Sequence, residues 1–139
     1  MDGGVITFII AILIVGVMVI VAMMLTKKRE HRFDKEAYQT RFLQIENKLR
    51  KENTATYTNA VMNGDKLLDK ALTEMGVAGN TMGERMKRCG GKFSDVNAVW
   101  RAHKLRNAIA HEDDLEITYG QAASALKIYK QALKDIGAI

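Results

Sequence analysis

The chain contains no proline and a single cysteine. Cys89 alone cannot form an intrachain disulfide, so nothing asks for an oxidising compartment, and a buried, inert thiol is expected. No run alternates apolar and polar residues with a period of two, and no segment repeats. That leaves everything beyond the N-terminal run all-α. There is no cysteine pair, no HExxH, and Glu112 to Asp114 lack the spacing of a calcium loop. No metal or other cofactor is therefore expected. Glycine and proline are also missing between Gly16 and Gly64, so nothing in that stretch obliges a helix starting near the N-terminus to stop. A continuous rod from the first helix into the following segment is one expectation.

Charge is absent from Val5 to Leu25. As a helix this run is long enough to cross a hydrocarbon core of about 30 Å. A secretory signal peptide is the competing reading. Against it, Asp2 is the only charged side chain before the run, the run is long for a signal core, and no A-x-A-like site follows. An uncleaved transmembrane helix over residues 5–25 is expected, with residues 1–4 as a short extracytoplasmic tail. Lys27, Lys28, Arg29 and Arg32 follow immediately, which places the rest of the chain on the cytoplasmic side of a cell membrane. The same basic flank would attract anionic lipid headgroups. The formal net charge of +5 is concentrated there: residues 26–52 hold nine Lys/Arg against five Asp/Glu, and residues 53–139 hold twelve against ten. A basic chain is thus weak evidence for nucleic acid.

Residues 26–53 read as a basic juxtamembrane stalk helix. Tyr38, Phe42, Ile45 and Leu49 form one apolar stripe, too short for a confident coiled coil. It either packs on its own domain or pairs with a second stalk. From residue 54 to 139 the pattern is a bundle of four helices, one of them short. Tyr57, Ala60, Val61, Gly64, Leu67, Leu68, Ala71, Leu72 and Met75 mark the buried face of the first, and Gly64 permits close approach of another helix. Gly76 and Gly79 end it. Asn80 can cap the short helix, with Met82, Met86 and Cys89 facing inward; Ser94 or Asp95 caps the third, and Thr118 with Gln121 forms a capping box for the fourth.

The third helix, from about Asp95 to His111, carries two faces. Ala98, Ala102, Leu105 and Ile109 form a core stripe. A wider face mixes Val96, Val99 and Trp100 with His103, Arg106, Asn107 and His111, and asks for a covering surface. If a second copy supplied it in twofold symmetry, a composite cleft would gather two arginines and two histidines.

The segment LRNAIAHE on the third of four helices resembles the HEPN superfamily (higher eukaryotes and prokaryotes nucleotide-binding). Its motif of arginine, a polar residue, three further residues and histidine is met by Arg106, Asn107 and His111. The resemblance covers about residues 54–139, and neither the anchor nor the stalk. It implies an all-α bundle that dimerises with the motif helices facing one another, and in many members a metal-independent endoribonuclease. A tyrosine two residues after the histidine, a regulatory site in one branch, is replaced here by Asp113.

On that reading His111 would be the general acid or base, Arg106 would hold the phosphate, and Asn107 would orient the imidazole or the phosphate. Arg85, Lys87, Arg88 and Lys92 could track an RNA backbone, with His103 beside the cleft, although a solvated basic face and a packing role for His103 are the simpler readings. Glu112, Asp113, Asp114 and Glu116 lie next to the motif and would repel a phosphate, while favouring a charged imidazole. Two classes of function stand: a membrane-anchored dimerisation, scaffold or nucleic-acid-binding module without catalysis, or an endoribonuclease acting at a homodimer cleft.

Overall fold

The structure, a computed structural model, describes residues 2–26 and 31–139. The regular elements among the described residues are all helical, with six α-helices and no strand. They divide into two compact units, residues 1–31 and 32–139.

The first unit is α1 (Gly3–Thr26). From Gly3 to Leu25 it is long and apolar enough to cross a membrane, and none of that stretch is buried against protein. An N-terminal signal sequence satisfies the same test of length and composition. Of the basic flank, Lys27, Lys28 and Arg29 lie outside the described residues; Arg32 is exposed.

The second unit begins by correcting the continuous rod. Residues 31–34 are not helical, and α2 (Lys35–Lys48) starts afresh. The Asp34 carboxylate accepts a hydrogen bond from the Ala37 N–H at 3.1 Å. Phe33, just before this cap, stacks edge-on against Tyr38 with ring centroids 5.4 Å apart. Together they make an N-cap and a hydrophobic staple, which set a helix start without glycine or proline. The stalk is not a separate element either. Tyr38, Phe42 and Ile45 are buried in the same core as the bundle, so the division drawn at residue 53 is not a division of the fold. The Tyr38 hydroxyl donates to Glu74 at 2.6 Å and Lys130 donates to Glu46 at 3.0 Å, tying α2 to its neighbours.

The centre of the unit is the pairing of α3 (Ala55–Glu74) with α6 (Tyr119–Asp135), against which α2 and α5 (Val96–His111) pack. The buried face of α3 is the expected one with Asp65 added, and Met75 is half-buried. At Gly64 the two helices are in close contact: a Cβ there would lie 2.6 Å from Cδ2 of Tyr129. At the end of α3, Gly76 at φ 77° allows Val77 N–H to reach the Leu72 carbonyl, a Schellman stop.

The short helix α4 (Met82–Cys89) is capped by Thr81, not Asn80: the Thr81 hydroxyl accepts from Glu84 N–H at 3.2 Å, and Asn80 N–H donates to the Glu84 side chain at 2.7 Å. A 3-10 turn, Gly90–Lys92, follows. Asp95 caps α5, and Ser94 instead donates from its N–H and hydroxyl to Asp135, fastening the start of α5 to the end of α6. The Thr118–Gln121 capping box of α6 forms as expected. On α5, Ala98, Val99, Ala102 and His103 are buried, whereas Leu105 and Ile109 are only half-buried at the rim of the core.

Candidate functional site

A carboxylate on the apolar face of α3 organises the site. Asp65 follows Gly64 and is 4% exposed, among Val61, Leu68 and Leu72 on the same helical stripe. A charge so deep is costly unless it is paired and hydrogen-bonded. Three partners meet it. His103 Nδ1 lies 2.9 Å from Oδ1, the Tyr129 hydroxyl donates to the same oxygen at 3.2 Å, and Arg106 Nε faces Oδ2 at 3.5 Å. The Arg106 contact is at ion-pair distance but lacks hydrogen-bond geometry, so the buried Nε makes no hydrogen bond. Burial first, and then the charge and hydrogen bond of Asp65, push the Tyr129 hydroxyl well above its usual range, with Arg106 opposing. Tyr129 therefore remains a donor.

The network continues along α5. Arg106 donates to Asn107 Oδ1 at 3.1 Å, and Asn107 Nδ2 lies 3.3 Å from His103 Nε2. Arginine has only donors, so the Asn107 oxygen must face it and the Asn107 NH2 must face the histidine. His103 Nε2 is then an acceptor, and its proton sits on Nδ1, directed at Asp65. This assigns the neutral Nδ1–H tautomer from the connectivity. Trp100 covers the imidazole edge-on, at 6.0 Å between ring centroids. The result is a closed polar chain linking α3, α5 and α6 through Asp65.

This geometry divides the predicted catalytic set. Arg106 and Asn107 are engaged inside the unit, and His103, taken as a residue beside a substrate, is a buried partner of Asp65. His111 is the last residue of α5, exposed, and outside the network. At about 100° per residue, Arg106 and His111 point about 140° apart around the helix axis. Asn107 does not orient His111; it holds His103. A third of the Arg106 side chain is exposed.

The predicted phosphate-tracking cluster is also divided. Arg85 is not free: Nε and Nη2 donate to the two oxygens of Asp69 at 2.8 and 3.0 Å, and Nη1 donates to the Gly79 carbonyl. The hydrogen bond with Asp69 raises its pKa further above the ordinary arginine value, against the opposing effect of burial. With its side chain 12% exposed, it is a brace between α3 and α4. Lys87, Arg88 and Lys92 are exposed, as are Glu112, Asp113, Asp114 and Glu116. Among the described residues, no three His, Cys, Asp or Glu side chains converge as metal ligands.

Asp65 is the residue that the sequence reading passed over. Its signal was present: at the spacing of Val61, Asp65, Leu68 and Leu72 it is a lone acid inside an apolar stripe.

Compared with protein-family models, curated proteins and solved structures, the chain matches none.

Proposed function

We propose that this chain is a membrane-tethered, HEPN-like module that pairs with its own kind and has no catalytic role. The observation that carries this reading is the inward engagement of Arg106 and Asn107 with Asp65 and His103. Arg106, ion-paired with a buried carboxylate, and Asn107, placed between Arg106 and His103, are drawn into the unit and away from a reacting phosphate. The half-buried Leu105 and Ile109 on α5 supply apolar surface that a second copy would cover. In this reading α1 is the anchor, and the basic residues following it keep the C-terminal unit in the cytoplasm. Confinement to a membrane raises the effective concentration of copies and favours weak pairing.

The test is made on the full chain in membranes. A photo-crosslinking residue at Ala110, which is exposed near the end of α5, should capture α5 of a differently tagged copy. Capture of unrelated proteins in place of a second copy would refute the pairing.

A second reading, metal-independent ribonuclease, is favoured by one feature: His111 is exposed and the Arg106 side chain is a third exposed. Across a twofold axis, Arg106 of one copy and His111 of another would do what one helix cannot. In this scheme Arg106 stabilises charge on the phosphate while His111 moves the proton of the 2′-hydroxyl or of the leaving oxygen. Incubation of the detergent-solubilised full chain with single-stranded RNA in EDTA decides. Cleavage leaving 2′,3′-cyclic ends, and lost in His111→Ala, establishes the enzyme; intact RNA with a crosslinked pair supports the noncatalytic module.

A further inference from the structure

Between α2 and α3 lies an open groove of about 850 Å³. Its floor includes Ile45 and Leu67, both buried, and its rims carry Arg41 and Lys48 from α2 and Lys66 and Lys70 from α3. Arg41, Lys48 and Lys66 form no ion pair among the described residues, and Lys70 approaches Glu74 at 4.0 Å and the face of the Tyr38 ring at 5.8 Å from its centroid. Asp69, the carboxylate that lines the groove, is already taken by Arg85. Asp34 and Glu36 sit beside Arg41 at one end, so the unbalanced positive charge is greatest towards Lys48 and Lys66.

Elsewhere on the same chain is the complement. The segment Glu112–Glu116 between α5 and α6 presents four carboxylates, all exposed, and none forms an ion pair among the described residues. The segment does not line the groove of its own chain. Its backbone is a turn, in which Leu115 N–H donates to the Glu112 carbonyl at 3.4 Å, so the four carboxylates are presented together from a compact loop.

We propose that this groove is the docking site for the acidic segment Glu112–Glu116 of a second copy of the chain. A nucleic-acid strand is a poorer fit, because the groove offers no aromatic face for a base: Tyr38 is 5% exposed and its hydroxyl is taken by Glu74. Four cations on the rims suit the four exposed carboxylates of Glu112, Asp113, Asp114 and Glu116, while Leu115 packs on its own core. The contact is heterologous, groove to loop, and is distinct from the α5 pairing proposed above. Being rim electrostatics, it weakens with salt.

The experiment uses the full chain in membranes, with a photo-crosslinking residue at Asn63 in one copy and a different tag on the other. The expected product joins position 63 to the peptide containing residues 112–116 of the second copy, and its yield falls several-fold in 0.5 M salt. Arg41→Glu with Lys66→Glu should lower that yield at least tenfold. Pairing the reversed groove with a copy carrying Asp113→Lys and Asp114→Lys should restore it, which rules out misfolding as the cause of the loss. The Ala110 product joined to α5 of the second copy, as opposed to the groove, should continue in the charge-reversed chain, so failure of the groove contact and failure of the α5 pairing are separable. Absence of the 63-to-112–116 product, no response to charge reversal, no rescue by the swap, or displacement by an equimolar RNA oligonucleotide overturns the proposal.

Discussion

Asp65 and Asp69 stand one turn apart on α3, and each holds an arginine from another helix. They do so in opposite ways. Asp69 takes Arg85 in a two-pronged contact near the surface, with its side chain 32% exposed, and needs no other side chain. Asp65, with a side chain 5% exposed, meets Arg106 at 3.5 Å and relies on His103 and Tyr129 to complete its hydrogen bonding. A partly exposed carboxylate can turn to water when its partner goes, whereas a buried one has no solvent to turn to. The difference explains why two arginines that both look chemical in the sequence do different structural work.

The largest expected effect follows from removing the buried carboxylate. Asp65→Ala strands Arg106 and the Nδ1–H of His103, and should cost about 3–5 kcal/mol of stability, read by chemical denaturation of the detergent-solubilised chain. Retention of wild-type stability would mean the network does not hold the bundle. Next is Gly64→Ala, whose Cβ would meet the ring of fully buried Tyr129 at 2.6 Å. Forced repacking of α3 against α6 should cost about 1–3 kcal/mol. Its signature is a simultaneous shift of the Tyr129 hydroxyl resonance, because the ring cannot move without lengthening its bond to Asp65. Asp69→Ala removes two hydrogen bonds from an Arg85 side chain that is 12% exposed and should cost about 1–3 kcal/mol, measured in the same denaturation series; a cost equal to that of Asp65→Ala would erase the contrast between the two sites.

A smaller effect concerns the fastening of α5 to α6. Burial works to raise the Asp135 pKa, but hydrogen bonds from the Ser94 N–H, the Gln131 amide and the Ser94 hydroxyl outweigh it and hold the carboxyl below its ordinary 3.8. A folded-state pKa below the unfolded one stabilises the fold at pH above the unfolded value, and that contribution is lost as pH falls through the folded value. Melting curves between pH 5 and pH 2 should show a loss in the wild type that Asp135→Asn lacks. At the bottom of the scale, His111→Ala should change stability by no more than about 0.5 kcal/mol, as an exposed residue outside the network.

Local signals carried much of the architecture. The capping box of Thr118 and Gln121, the cap at Asp95 and the buried periodicity of α3 are written within a few residues of where they act. Asp34 was equally local, but its cap and the Phe33–Tyr38 staple beside it were obscured by the absence of any helix breaker, which made a continuous rod look natural. Thr81 displaced Asn80 because a helix start offers several polar residues, and geometry picks one. For the candidate site, RNAIAH was legible as a cluster of polar side chains on a helix. What those side chains hold was not, since Asp65 and Tyr129 reach them from distant parts of the chain, and periodicity within one helix says nothing about which helix lies opposite. Arg85 shows the same limit: its charge was visible and its commitment to Asp69 was not.

The most direct test of the account is a double-mutant cycle between Asp65 and Arg106, with unfolding free energies measured for the wild type, Asp65→Ala, Arg106→Ala and the double variant. If the two side chains stabilise each other in the interior, the double variant will be more stable than the sum of the single losses by at least about 1 kcal/mol. Losses that add to within about 0.5 kcal/mol would show that Arg106 is not held by Asp65, and would contradict the structural role assigned to it.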